Sequence, residues 1–243
     1  MKTIAENIAQ VQTQIAEACA RVGRSPTEVT LVAVSKHRSV EAIAEAARAG
    51  LSNFGENRVE EARTKLPHIN LPLTWHMIGH LQSRKARAAI PLFDVVQSVD
   101  SVHLAARLAR FVGADGADGN EATLPVLLQV NVSGETSKYG WEAARWEDNP
   151  AQRRALWDDV GAVLALPQLR VMGLMTMAPI VSNMEEARPV FTALRRLRAA
   201  LAADFPAADW AHLSMGMTDD YPVAVEEGAT IVRIGRAIFE IDD

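Results

Sequence analysis

The chain has 243 residues, 49% of them hydrophobic and 23% charged, with 25 Lys and Arg against 30 Asp and Glu and a formal net charge of -5. This is the composition of an ordinary globular protein with enough chain to bury a substantial core; it argues against a basic nucleic-acid reader, and the lone Cys19 excludes an internal disulfide. No stretch reaches the roughly 18 apolar residues of a membrane span and the N-terminus lacks the apolar run of a secretory signal, so a cytoplasmic protein with neither membrane nor nucleic-acid partner is expected.

Ile4, Ile8, Val11, Ile15, Ala18 and Val22 recur at spacings of three and four, which paints one apolar helix face ended by Gly23. Cys19 falls within this pattern as a small hydrophobe. From Thr30 onward, β-rich runs alternate with Ala-rich helical runs. The expected strands are 30–35, 52–54, 73–78, 95–98, 126–132, 171–176, 210–215 and 230–234, and the helices between them 40–49, 58–65, 83–90, 102–111, 150–164, 185–203 and 222–227. Runs such as Leu31-Val32-Ala33-Val34 are apolar on both faces, as parallel strands covered on both sides require. Eight alternating units in a chain near the roughly 250 residues of a TIM barrel predict a single (β/α)8 barrel domain over 1–243, with an extra N-terminal helix. Two segments break the pattern. Residues 113–120 are rich in Gly and Asp but miss the spacing of a calcium loop, and are expected to be an exposed loop. Residues 134–150, with Lys138, Trp141 and Trp146, suggest a flap on the C-terminal face. Arg195, Arg196 and Arg198 are separated by apolar residues and read as a solvated helix face.

Barrel function resides at the C-terminal ends of the strands. There the sequence offers Ser35-Lys36, Gly55-Glu56-Asn57, Ile78-Gly79-His80, Asn131, Met175-Thr176, Ser214-Met215-Gly216 and Arg233-Ile234-Gly235-Arg236. A lysine closing an apolar strand meets the requirement for a Schiff base if the mouth desolvates its amine; the plain alternative is a lysine that reaches for water. The loops after the seventh and eighth strands of a barrel often bind phosphate. Here they carry glycines that admit close backbone approach, a hydroxyl on Ser214 and a guanidinium on Arg236. Closure makes the first strand a neighbour of the eighth, so an aldehyde cofactor with a phosphate handle would span from Lys36 to these loops. Arg233 alternates with Val232 and Ile234 and should enter the mouth. It would suit the pyridine nitrogen of pyridoxal 5′-phosphate (PLP), or else form a structural salt bridge, with Glu56 as one candidate partner.

In chain order, Ala33-Val34-Ser35-Lys36, Phe54-Gly55-Glu56-Asn57, Trp75 to Gln82, Val130-Asn131-Val132-Ser133, Gly173-Leu174-Met175, Leu213 to Met217 and Val232-Arg233-Ile234-Gly235 resemble the PLP homeostasis proteins, relatives of the alanine racemase N-terminal domain. That resemblance implies a fold-type III PLP-binding barrel with PLP as a Schiff base on Lys36, the phosphate on Ser214, the Met215 N–H, Gly235 and Arg236, Arg233 toward the pyridine nitrogen, and Asn57 lining the cofactor. Arg236, where relatives often carry a small hydroxyl residue, and Glu240, where they carry glycine, depart from the family pattern. The implied function is intracellular PLP buffering and delivery, with apo PLP-dependent enzymes as recipients; no obvious exposed apolar stripe demands a dimer, so a monomer is expected. The alternatives are a weakly active PLP-dependent amino-acid racemase or eliminase and a PLP-free Schiff-base aldolase. With the chain ending at Asp243, no second domain to supply a racemase tyrosine is expected, and neither Tyr139 nor Tyr221 has a racemase context. His76 and His80 lack a third ligand for zinc; His80 is instead expected to border the cofactor, and Lys138 to be a solvated flap lysine.

Overall fold

The computed structural model describes residues 2–115 and 123–240. Thr3 and Glu6 form a reciprocal cap at the start of α1 (Ile4–Arg21), satisfying backbone donors that the first turn leaves free. Its buried stripe of Ile4, Ile8, Val11, Ile15, Ala18 and Cys19 packs on the last two helices of the chain, α8 (Tyr221–Glu226) and α9 (Arg236–Phe239). Asn7 adds a side-chain clasp, donating to the carbonyls of Ile238 and Glu240, both at 3.1 Å.

Between these ends the chain alternates β1 (Thr30–Val34), α2 (Val40–Arg48), β2 (Asn53–Glu56), α3 (Val59–Lys65), β3 (Thr74–Met77), α4 (Ala86–Ala89), β4 (Val95–Val99), α5 (Val102–Asp115) and β5 (Leu124–Asn131). It continues through β6 (Trp141–Glu142), α6 (Pro150–Leu164), β7 (Leu169–Met175), α7 (Arg188–Asp204), β8 (His212–Ser214), α8, β9 (Ile231–Ile234) and α9. The described strands are parallel in the order β4-β3-β2-β1-β9-β8-β7-β5-β6, and β4 also pairs with β5. That last pairing closes eight strands into a (β/α)8 barrel; β6 hangs on the C-terminal end of β5 outside the ring.

Alternation along each strand sorts side chains into two cores. Val32, Val95, Leu127, Met172, Met175 and Ile231 meet inside the barrel. Ala33, Phe54, Met77, Val96, Leu128, Leu213 and Val232 face the other way, into the larger core shared with the helices. Two glycines carry the close approaches this needs. Gly173 in β7 has φ +145° and lies where a Cβ would stand 1.9 Å from the His212 carbonyl oxygen. Gly55 in β2 lies where a Cβ would meet Ile78 at 2.8 Å.

The expected strands fall where they were read, with ends shifted by a few residues. The 83–90 helix is a tight 3-10 turn over Ser83–Lys85 that leads into the short α4. Two short elements, β6 and α9, had no periodic signal. Helix α5 runs on to Asp115, and the loop expected after it falls mostly on residues 116–122, outside the described residues. No helix among the described residues is long and apolar enough to cross a membrane.

Substituting Gly173→Ala would press a methyl into the β8 backbone at a φ that L-residues disfavour. It is expected to destabilise the protein by roughly 2–4 kcal/mol in urea unfolding, without changing the barrel's circular dichroism if it still folds.

Candidate cofactor site

Lys36 lies two residues beyond Val34, just past the C-terminal end of β1. β1 pairs with β9 in the register Val32 to Arg233 and Ala33 to Ile234, so closure sets Lys36 beside the Gly235 turn. The side chain is exposed and has no hydrogen-bond or ion-pair partner among the described residues. The protein thus does not bury this amine in the way the sequence reading required. Desolvation has to come from whatever occupies the mouth.

Arg233 is the buried charge of the site. It shares the inward register of Ile231, is 4% exposed, and donates to Ser214 Oγ at 2.5 Å and to the Thr176 carbonyl at 2.8 Å. Burial pushes its pKa down to about 10, opposed in part by the Asp220 carboxylate. The sequence-level alternative of a salt bridge to Glu56 does not form: Glu56 sits on the outward face of β2, and its ammonium partner is Lys65, at 2.8 Å. Among the described residues no carboxylate lies within ion-pair distance of Arg233. A buried guanidinium held only by a hydroxyl and a carbonyl keeps donor capacity for a further acceptor.

From Arg233 a line of hydrogen bonds crosses the barrel interior. Ser214 Oγ–H donates to Gln97 Oε1 at 2.6 Å, Gln97 Nε2 lies 3.0 Å from His76 Nδ1, and His76 Nε2 lies 3.0 Å from Asn53 Oδ1. The only assignment that satisfies each contact makes His76 neutral, protonated on Nε2. Burial agrees, holding its pKa down at about 4. Gln97 is a residue that the strand pattern passed over. Its signal was present, as an amide side chain at an inward position of a strand otherwise built of Val and Ser.

This line engages two of the groups that the sequence put forward for a phosphate. The single hydroxyl proton of Ser214 goes to Gln97, and the Met215 N–H donates to the Ile231 carbonyl at 3.1 Å. Neither donor is directed at an anion in this conformation. The Arg236 guanidinium is exposed and ion-paired with Asp219. What the two loops do offer is backbone. Among the described residues, the N–H groups of Gly216 and Gly235 have no acceptor. Gly216 has φ +94° and a Cβ there would lie 2.6 Å from that of Ala224; one at Gly235 would lie 3.3 Å from Cβ of Val34. The Asp220 carboxylate braces the first loop by accepting the Met217 N–H at 2.6 Å.

On the other side of Lys36, beyond β2, Asn57 is half-buried with no side-chain partner among the described residues, and its backbone presses so close to Gly79 that a Cβ would lie 2.3 Å from the Asn57 carbonyl oxygen. His80 lies beyond β3 and not on it; its Nδ1 is 2.9 Å from Asp100 Oδ2. His76 and His80 therefore have separate partners and do not face one another as a ligand pair. The ring of Tyr139, 54% exposed, stacks on His80 with centroids 3.9 Å apart. Lys138 is not a solvated flap lysine: it donates to the carbonyls of Met177, at 3.1 Å, and Ala178, at 2.5 Å, pinning the flap to the loop after β7.

The model for the family described as alanine racemase, N-terminal domain, matches residues 2–243. The pyridoxal phosphate homeostasis protein of Pseudomonas aeruginosa is 42% identical over 247 residues, covering 100% of this chain and 97% of the relative. The solved structure of PipY from Synechococcus elongatus without PLP superposes with a TM-score of 0.83 at 38% identity, covering 98% of this chain and 100% of that one. The same protein with PLP bound superposes with a TM-score of 0.75 at 39% identity, covering 93% and 100%.

His76 also predicts a pH response. Its pKa falls from 6.5 to about 4 on folding, so between those values the unfolded chain binds the extra proton and the folded one does not. This group's contribution is complete above pH 6.5 and is lost as pH falls toward 4, by up to about 3 kcal/mol. In urea titrations across that window, a His76→Gln variant should show a shallower loss of stability than the parent protein.

Proposed function

This chain belongs to the pyridoxal phosphate homeostasis protein family, within the wider family of alanine racemase N-terminal domains, and from that premise we propose that it binds PLP as a Schiff base on Lys36 and serves in PLP buffering and delivery. The observation that carries this reading is Arg233, a buried guanidinium with no carboxylate partner among the described residues, on the strand paired with the one that Lys36 follows. The residues fit the cofactor. Arg233 has a donor to give the pyridine nitrogen, and because arginine does not accept, that nitrogen stays unprotonated. The N–H groups of Gly216 and Gly235 supply a backbone cradle for phosphate, closed to any larger residue at Gly216 by its φ and its contact with Ala224. Ser214 and Met215 serve this cradle by holding Arg233 and the β8–β9 ladder, and Arg236 adds charge from the rim. Asn57 lines the side near β2.

When bound, PLP supplies an electron sink, but one weakened by an unprotonated ring nitrogen. That favours holding the cofactor over turning over amino acids, and supports a carrier reading. We read the chain as a single barrel domain over 1–243, a cytoplasmic monomer that passes PLP to apo-enzymes. The His80–Asp100 pair with Tyr139 stacked above it favours a second reading, a weak racemase or eliminase, because it sets an acid/base pair on the same rim.

Purified protein mixed with PLP should show the visible band of a pyridoxal imine that borohydride fixes onto Lys36. Lys36→Ala should lose the band and keep the fold. Arg233→Met should keep the fold but bind PLP about tenfold more weakly, since its loss leaves the ring nitrogen without its donor. Transfer of PLP to an apo-enzyme without turnover of amino acids supports delivery. Turnover that disappears in Lys36→Ala would move the assignment to the second reading, and no band at all would sink both.

A further inference from the structure

The outward face of the β1 and β2 ends holds a buried ionic cluster that no cofactor-facing residue belongs to. Glu56 Oε1 accepts from Ser35 Oγ at 2.7 Å and from Lys65 Nζ at 2.8 Å. Lys65, 9% exposed, directs its other two N–H groups at Glu61 Oε1, 2.8 Å away, and the Ser35 carbonyl, 2.9 Å away. Glu61 Oε1 accepts in turn from the His37 N–H at 2.5 Å. The two peptide groups on either side of Lys36 are therefore both tied to one ammonium–carboxylate pair, four residues apart on α3.

The bond to His37 falls where the backbone needs it. With φ +60°, His37 is the one non-glycine residue described in the left-handed region. A residue with a Cβ stays there only when its surroundings over-determine it. Here they do, through Glu61 on one side and Lys65 on the other. The backbone angles over 35–37 set the direction in which the exposed, four-carbon chain of Lys36 leaves the strand end.

We propose that Glu61 and Lys65 are positioning residues for Lys36: their ion pair clips the Ser35 carbonyl and the His37 N–H from the outside of the barrel and so aims the lysine at the mouth on the inside. This rests on Lys36 being the cofactor lysine. The clip gives the amine one approach direction, which an unrestrained lysine has to find among many rotamers. It also engages all three N–H groups of the neighbouring Lys65, leaving Lys36 as the amine open to an aldehyde.

The test has an arm that needs no cofactor. In the PLP-free protein, amide hydrogen exchange at His37 should quicken about tenfold in Glu61→Ala, and far less in Glu61→Gln, which keeps an acceptor oxygen but not the charge. In the PLP titration, Glu61→Ala should bind about tenfold more weakly and Glu61→Gln two- to threefold more weakly. Adding His37→Gly to Glu61→Ala should recover part of the affinity, because glycine takes positive φ without a clip. Unchanged exchange at His37 overturns the clip. Faster exchange with unchanged PLP affinity overturns the positioning role. If Glu61→Ala does not fold, Glu61→Gln decides, and a change in neither readout overturns the proposal. A parent protein whose Lys36 borohydride never labels removes the cofactor reading itself, and the positioning role with it; the exchange arm still shows whether the clip is present.

Discussion

The Thr30 N–H donates to the Thr230 carbonyl at 2.8 Å, the first rung of the ladder that joins the opening strand to the closing one. Without that ladder the sheet is open and Lys36 and Arg233 belong to opposite ends of the chain. With it, Val32 faces Arg233 and Ala33 faces Ile234, and the lysine, the guanidinium and the glycine turn after β9 share one sector of the rim. The external helix α1 braces this seam from outside, gripping α8, α9 and the carbonyls of Ile238 and Glu240.

Strand alternation divides the labour around Lys36. Even-numbered residues of β1 and β2 face outward or inward according to strand, so the inner side holds a line of neutral groups ending at the Arg233 guanidinium and the outer side holds the Glu56–Lys65–Glu61 ion pairs, with Ser35 bonded to Glu56. Inside, Arg233, Ser214, Gln97, His76 and Asn53 satisfy one another in a line that keeps a buried imidazole neutral. Outside, Glu56, Glu61 and Lys65 hold the backbone that carries the lysine. Burial raises the pKa of Glu56, against the hydrogen bonds from Lys65 and Ser35 that lower it, and one of its oxygens has no partner. Such a group tolerates its position only while the Lys65 ammonium stays in place.

The flap works across the mouth from Lys36. Gln129 Nε2 donates to the Tyr139 carbonyl at 3.1 Å, Asn131 Nδ2 to the Glu135 carbonyl at 2.9 Å, and Trp141 Nε1 to Asp159 at 2.9 Å, so the segment is fastened to β5 and α6 along its length. Lys138 and Tyr139 then reach in opposite directions, one to the loop after β7 and the other to His80 beyond β3. Neighbouring residues of one loop thereby link three strand ends.

By itself the sequence determined the order and kind of the barrel's strands and which candidate residues stand at their C-terminal ends, because hydrophobic period and the residues at strand ends are local properties. Lys36, Arg233 and the glycine turns were legible for that reason. The partners were not. That Ser214 donates to Gln97 and not toward an anion, that Arg233 has no carboxylate while Glu56 has Lys65, and that Glu61 reaches the peptide beside Lys36 all depend on which strands meet and which way each side chain turns. Those contacts join residues from 9 to 117 positions apart, and only the packed tertiary fold brings them within the few ångströms over which a hydrogen bond acts.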